Sequence, residues 1–272
     1  VSADTYCDTL NYIICDNEAV ITGFDGEPEN ICIPGMIEGK TVTEIRENAF
    51  YKCDSLKNVI IPESVEKIGH HAFFGCTSLE TAVIEGKIHS VEEGSFFDCS
   101  SMKSVELPDT LKTIEKYAFY NCCNIREIDV PDSVTSIREY AFTDCKMLEN
   151  IELSSNLYEL DDFAFLRCSS LNSINIPDSI ISVGSYAMGY EGDGLFIPVS
   201  SFTVFGSENS LGRAYADENG VRFVNSEKTT EKNERNFPVI PTLMVIISGI
   251  GLIFFRWTKK MLLLDNTYEY EQ

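Results

Sequence analysis

The sequence has little of what nucleic-acid-binding proteins and most enzymes rely on. Against 21 Lys and Arg stand 43 Asp and Glu, and only three histidines are present, His70, His71 and His89. The formal net charge of -22 repels a phosphate backbone, so nucleic acid is excluded as a partner. No Ser-His-Asp order, glycine-rich phosphate loop or paired metal-ligand box stands out. We therefore expect no enzyme activity and no cofactor.

The histidines offer one pairing that chemistry could use. His70 stands 23 residues ahead of Glu93, a spacing that permits an acid-base or metal pair if the two lie side by side. The alternative is that both are solvated loop side chains. Because no third group converges on them, the second interpretation is favoured.

A repeat of 23 residues dominates the chain. Two types of residue recur at this step, at six positions each, and the two series stay in the same register. The phenylalanines are Phe50, Phe73, Phe96, Phe119, Phe142 and Phe165, and the cysteines are Cys53, Cys76, Cys99, Cys122, Cys145 and Cys168. Because the apolar positions recur in register, we expect stacked units that share one continuous core.

Each unit carries the pattern of short strands. Residues Glu127 to Val130 alternate outward polar and inward apolar side chains, and Pro131 ends the stretch. A second apolar pair, Val134 and Ile137, follows before the next phenylalanine. One unit cannot bury its apolar side alone, whereas a stack can. The pattern predicts a β-rich solenoid of short strands and turns.

These units resemble a known family. The segment VPDSVTSIREYAFTDCKMLENI looks like the BspA-like, or treponema-type, leucine-rich repeats of bacterial and some protozoan surface proteins. The resemblance covers about residues 42–199, and the seventh unit is degenerate, with Met188 and Glu191 in place of phenylalanine and cysteine. It implies a leucine-rich-repeat fold and a role in binding.

Caps are predicted at both ends of the solenoid. In an N-terminal β cap, residues 1–41, the stretch 10–23 has the pattern of a hairpin that covers the first repeat. A C-terminal cap, residues 200–225, contains a short amphipathic helix over 210–218, which Asn219 and Gly220 end. Such covers keep the open ends of a stack from exposing its core.

A membrane anchor is predicted after the caps. Residues 237–255 contain no charge, and 19 helical residues at about 1.5 Å each approach the thickness of a bilayer core. We expect a stalk or linker at 226–236, one transmembrane helix at 237–255 and a cytoplasmic tail at 256–272. The count of flanking cations is tied, but the start Val1-Ser2-Ala3 is typical of a removed signal peptide, which places the solenoid at the cell surface.

The cysteine column has three interpretations. Disulfides are disfavoured because Cβ vectors in stacked strands run parallel, and zinc because a line of cysteines lacks short ligand spacings. We expect buried reduced thiols that pack as small apolar groups. Cys123 stands one step outside the column, where we expect it to be exposed. Cys7, Cys15 and Cys32 fall in the N-terminal cap and can supply one disulfide, whose pair the sequence does not assign.

Outward positions of the strands form an acidic column. It reads Ile60, Val83, Glu106, Asp129, Glu152 and Asn175, with Glu127 and Asn150 in the neighbouring column. Three successive carboxylates at the strand spacing of about 4.8 Å repel one another and favour a basic protein patch or a calcium ion. The alternative is a solvated acidic surface on a chain that is acidic throughout.

Two aromatic columns offer another surface. One holds Tyr51, Phe74, Phe97 and Tyr120, and the other holds Tyr117, Tyr140, Phe163 and Tyr186. Aromatic side chains are frequent at binding hot spots, so both columns suit a protein or a carbohydrate, unless they only fill the turn.

Together these features predict extracellular recognition or adhesion by a membrane-anchored repeat domain, with a protein or glycan as ligand. The alternative is a structural envelope protein that associates with itself.

Overall fold

A computed structural model describes residues 10–192 and 195–226. Every 23-residue unit contributes two short strands, because it contains two short apolar stretches and each of them forms one strand. In chain order the strands are β1 (Leu10–Cys15), β2 (Glu18–Phe24), β3 (Asn30–Cys32), β4 (Met36–Ile37), β5 (Lys40–Ile45), β6 (Asn58–Ile61), β7 (Lys67–Ile68), β8 (Thr81–Ile84), β9 (Ser90–Val91), β10 (Ser104–Glu106), β11 (Thr113–Ile114), β12 (Glu127–Asp129), β13 (Ser136–Ile137), β14 (Asn150–Glu152), β15 (Glu159–Leu160), β16 (Ser173–Asn175), β17 (Ser182–Val183), β18 (Tyr190–Glu191), β19 (Ile197–Pro198), β20 (Thr203–Gly206) and β21 (Arg222–Asn225), and the one described helix is α1 (Leu211–Asn219).

The strands stack in parallel, one unit upon the next. On one side of the solenoid β3, β6, β8 and β10 form a sheet, β12 pairs with β14, and β16 pairs with β20. On a second side β9, β11, β13, β15 and β17 form a continuous sheet in which Ile114 lies beside Ile137. Partners are 23 residues apart from β6 to β17, so there the sequence period is the pairing register, whereas the end pairs β3–β6 and β16–β20 have steps of 28 and 30 residues. The predicted β-solenoid is confirmed.

Prolines shape the corner between the two sides. The carbonyl oxygen of Pro108 accepts a hydrogen bond from the backbone N–H of Leu111 at 3.1 Å, and Pro131 does the same for Val134 at 3.0 Å. Ser154 replaces proline in the next unit and keeps this bond with Leu157 at 3.0 Å. The corner therefore depends on the turn geometry, which proline favours and serine permits.

The third side of the solenoid consists of tight turns. Each complete unit places two residues in the left-handed region, for example Tyr117 and Asn121 with φ of 58° and 57°. These turns direct backbone N–H groups to the neighbouring unit, as in the bond from Phe119 N to the carbonyl oxygen of Ala141 at 2.8 Å. Hydrogen bonds between units are therefore made by the turns as well as by the strands.

The core is a stack of rings beside a row of thiols. The six column phenylalanines are buried, and successive ring centroids lie 4.9 to 5.5 Å apart with interplanar angles of 2° to 8°. Five of the six column cysteines donate Sγ–H to the carbonyl oxygen of the phenylalanine 26 residues earlier, at 3.0 to 3.2 Å. All six are free and buried, as predicted. The prediction missed the hydrogen bond, so these thiols are donors as well as small apolar groups.

Both ends of the stack are covered. At the start, β1 and β2 form an antiparallel hairpin, and β2 pairs in parallel with β5. At the other end Ser210 caps α1 by accepting the backbone N–H of Arg213 at 3.3 Å, and Gly220 ends the helix with φ of 66°. Tyr215 of α1 donates its hydroxyl to the carbonyl oxygen of Met188 at 2.8 Å. The hairpin and the helix expected from the sequence are both present.

The expected anchor lies outside the described residues. So do Cys7, the segment 237–255, the tail 256–272 and all of the stalk except Ser226. Across 10–192 and 195–226, no helix is both long and apolar enough to cross a membrane.

Candidate partner-binding surfaces

The acidic column lies on the side that β12 and β14 form. Asp129 stands beside Glu152, and Glu127 stands beside Asn150, in hydrogen-bonded parallel register. All four side chains are exposed, whereas the intervening Ile128 and Ile151 are buried. The alternation predicted for these strands therefore brings three carboxylates and the amide of Asn150 to one surface. We call Glu106, Glu127, Asp129, Asn150 and Glu152 the strand face.

The predicted run of three successive carboxylates needs a correction. Glu106 is half-buried and belongs to the sheet of β8 and β10, where it pairs with Val83, and no ladder joins β10 to β12. The carbonyl of Ser100 accepts the side chains of Asn124 and Cys123, at 2.9 and 3.4 Å. One unit later the equivalent carbonyl oxygen, that of Cys123, accepts a hydrogen bond from the backbone N–H of Met147. A second break lies between β14 and β16, where the equivalent backbone bond from Ser170 to the carbonyl oxygen of Lys146 is kept, so this link does not decide whether the strands pair.

Charge is compensated next to the strand face but not on it. The column just before the strands pairs opposite charges between units, at Lys57 with Glu29, Lys103 with Glu80, and Arg126 with Glu149. Within the described part of the chain, none of the four strand-face carboxylates has an ion pair. Exposed pairs of this kind add little stability, yet they cancel the local field. The strand face therefore keeps its negative charge.

Metal binding finds no support in this geometry. Among the residues described, no three His, Cys, Asp or Glu side chains come together where one ion would fit. Calcium requires six to eight oxygen ligands, so two neighbouring carboxylates on a flat sheet are insufficient. His70 is exposed, and its Nε2 faces the carboxylate of Glu92 at 3.7 Å instead of Glu93. Of the two partners expected for the acidic column, calcium is therefore the one that this geometry does not support.

The two aromatic columns form stacked rows, an arrangement that residue type alone did not reveal. The first aromatic row is Tyr51, Phe74, Phe97 and Tyr120, with centroids 4.6 to 5.1 Å apart. The second aromatic row is Tyr117, Tyr140, Phe163 and Tyr186, with centroids 4.8 to 5.7 Å apart, and Phe196 packs against its end. Interplanar angles within the rows are 5° to 18°, so neighbouring rings cover each other's faces and leave mainly ring edges to solvent.

A mixed-charge cluster lies beside the second aromatic row and was also missed. Arg138 bonds to Glu159 at 2.6 Å and to Asp161 at 3.4 Å. Burial raises the pKa of Glu115 and of Asp161, and Arg138 opposes both shifts. The sequence contained a signal for this cluster, because acidic residues precede the aromatic residue in successive units. That these acidic residues lie side by side is known only from the fold.

The cysteines divide into buried and accessible groups. Burial raises the pKa of Cys76 to about 12, and those of Cys99, Cys122 and Cys145 also lie well above the ordinary value. Cys15 and Cys32 are free and exposed, and Cys123 is half-buried instead of exposed as expected. The column thiols are therefore protonated at neutral pH, and a thiol must be ionised to act as a nucleophile.

Comparison with known proteins agrees with this architecture. The family model described as BspA type leucine rich repeat region (6 copies) matches residues 29–148 and 66–192. A leucine-rich repeat protein from T. pallidum is 26% identical with a TM-score of 0.64, over 81% of this chain and 97% of that one. Another leucine-rich repeat protein, from Bacteroides ovatus, is 23% identical with a TM-score of 0.61, over 82% of this chain and 67% of that one. At this identity the similarity supports a shared fold and nothing further.

No curated protein sequence matches the chain. Neither the family nor these two structures indicates a catalytic activity. The matched ranges together run from residue 29 to residue 192, more than half of the 272 residues. The chain belongs to the BspA type leucine-rich repeat family.

Proposed function

We propose that this chain is a membrane-anchored recognition protein whose solenoid binds a basic protein partner outside the cell. The observation that carries the proposal is the uncompensated charge of the strand face. Glu127, Asp129 and Glu152 are exposed on one flat surface, while the adjacent column pairs its charges between units. Complementary charge speeds encounter and selects among partners. A positively charged patch on another protein suits this surface.

A protein fits the aromatic rows better than a glycan does. Sugars stack on the faces of aromatic rings, and here the faces are covered by neighbouring rings, as between Tyr140 and Phe163 at 4.8 Å. Ring edges and half-buried side chains instead suit the mixed contacts of a protein interface. Repeats of this family generally serve protein interaction and adhesion at surfaces, which also supports a protein ligand.

The anchor and the location are part of the proposal. Residues 237–255 carry no charge over 19 positions, and Arg256, Lys259 and Lys260 follow them. A single helix of that length suits a bilayer core of about 30 Å. With the N-terminal domain outside, the strand face is accessible to proteins of the surroundings.

Self-association is the second candidate function, and one feature favours it. Within residues 10–192 and 195–226, strand β1 is the outer strand of its sheet, and Ile13 and Ile14 on it are exposed. An open edge with apolar side chains can pair with the same edge of another copy. In that case the protein would serve as a structural component of the envelope.

Binding to an immobilised panel separates the two functions. The panel contains purified matrix proteins, neutral and sulfated glycans, and the chain itself. The full chain is compared with the variant Glu106→Gln/Asp129→Asn/Glu152→Gln and with the control Glu63→Gln/Glu66→Gln/Asp132→Asn. The control removes three exposed charges elsewhere, so both variants have the same net charge.

We expect salt-dependent binding to a basic matrix protein, weakened about tenfold by the strand-face variant and little by the control. Equal weakening by both variants would mean that only overall charge matters. Binding only to immobilised copies of the chain would establish self-association instead.

A further inference from the structure

Four bulky rings occupy backbone positions that disfavour them. Tyr117, Tyr140, Phe163 and Tyr186 have φ between 52° and 59°, in the left-handed region. The equivalent position of the first three units holds Asn48, His71 and Gly94, at φ of 55° to 61°. Asparagine and glycine adopt this conformation readily, whereas bulky residues rarely do. The fold therefore does not require rings at this column, and their presence points to a use beyond folding.

A lysine shows what these rings can hold. The Lys116 ammonium lies 5.1 Å from the ring centroid of Tyr117 and 5.8 Å from that of Tyr140, and it also pairs with Glu139. These distances are typical of cation–π contacts. The first half of the second aromatic row thus already has a cation, supplied by the chain itself.

The second half of the row lacks an equivalent cation. Two and three units after Lys116 the chain has Asp162 and Ser185, which directly precede Phe163 and Tyr186. Among the described residues, no lysine or arginine lies over either ring. Residues 115–162 next to the row include the carboxylates Glu115, Glu139, Glu159, Asp161 and Asp162 and the cations Lys116 and Arg138. Five negative and two positive groups leave a local charge of about -3.

Apolar side chains extend the same end of the row. Phe196 packs on Tyr186 with centroids 4.5 Å apart and on Phe163 at 5.3 Å, and 37% of it is exposed. Its neighbours Leu195 and Ile197 are 77% and 60% exposed. Consecutive exposed apolar residues beside an aromatic row are typical of interaction surfaces.

We propose that the Phe163–Tyr186–Phe196 end of the second aromatic row binds a basic segment of another protein. A lysine or arginine of that segment contacts the rings as Lys116 contacts Tyr117 and Tyr140, with Asp162 as the counter-charge. Apolar side chains next to that cation contact Leu195 and Ile197. The inference rests on the proposed function in assuming a protein ligand, and it adds a second contact surface with its own chemistry.

Synthetic peptides of about twelve residues test the chemistry. The probe alternates lysine and leucine. Its acetyl-lysine version removes the charge, and a lysine–serine version removes the apolar side chains. Fluorescence anisotropy with the full chain gives each dissociation constant. We expect the lysine–leucine peptide to bind about tenfold more tightly than either of the others. Equal binding of all three would overturn the assignment.

Variants of the chain locate the site. Phe163→Asn/Tyr186→Asn installs the residue that Asn48 already shows to fit this backbone, and Tyr158→Asn is the control on an exposed tyrosine outside both aromatic rows. We expect about tenfold weaker binding for the first and less than about twofold for the control. Because Leu195 and Ile197 are exposed, Leu195→Ser/Ile197→Ser should fold normally and still weaken binding about fivefold. Unchanged binding by this variant, or an equal loss in the control, refutes the site.

The same variants keep this inference separate from the proposed function. If a matrix protein binds the chain and only the strand-face variant weakens that complex, the proposed function stands and the row is not a contact. If no protein of the panel binds, the proposed function fails, while the peptide series still decides the chemistry of the row.

Discussion

Truncation of one core ring tests the stack most simply. Phe119 is fully buried, and its ring lies 5.5 Å from Phe96 and 5.3 Å from Phe142. Removing it forfeits about 1.5–3 kcal/mol of apolar burial and two ring contacts of about 0.5–1.5 kcal/mol each, and leaves a cavity. The stack cannot close this gap, because each neighbouring ring is held by its own unit. We expect Phe119→Ala to lower the free energy of unfolding by about 3–5 kcal/mol.

Urea denaturation followed by circular dichroism measures the effect. With a slope of about 2–3 kcal/mol per M, the midpoint should fall by about 1–2.5 M. Tyr158→Ala is the control, because Tyr158 is a similar side chain that is 41% exposed. It should cost about 1 kcal/mol or less. Midpoint shifts of equal size in the two variants would refute the stacked core.

Three further outcomes follow from burial, ionisation and the caps. Cys99 and Cys122 should react with a thiol reagent only on unfolding, and a disulfide between them in mass spectrometry would contradict the donor role of the thiols. Because burial raises the pKa of Glu115 above its ordinary value of 4.5, the folded state binds that proton more tightly than the unfolded state. Stability should therefore fall as pH rises from about 4.5 through the raised pKa, and Glu115→Gln should lessen that fall in pH-dependent melting. Deleting residues 237–255 should release a folded protein from membranes, and membrane retention of the folded deletion product would count against a single anchor there.

Recurrence explains how much of the fold could be predicted. A column such as Phe50 to Phe165 repeats at one step, so the period directly gave the parallel register and the buried side of each unit. The caps were predictable because strand alternation and the Ser210 and Gly220 signals are local. The family resemblance added the class of repeat but no ligand.

What the sequence did not predict depends on contacts between units. The breaks in strand pairing after β10 and after β14 fall where the 23-residue step continues unchanged, so no period reveals them. Left-handed backbone at Tyr140 was unexpected because bulky residues usually avoid it, although Asn48 and Gly94 in the same column were a signal. The thiol hydrogen bonds required the position of a carbonyl in the preceding unit.

Carboxylate footprinting tests the central claim most directly. In this measurement a carbodiimide couples an amine to accessible Asp and Glu, and mass spectrometry gives the labelling rate of each residue with and without the matrix protein that binds. We predict that the complex slows labelling of Asp129 and Glu152 at least about fivefold and leaves Glu63 and Asp132 unchanged. Unchanged labelling of Asp129 and Glu152 in a fully formed complex would contradict the assignment of the strand face as the recognition surface.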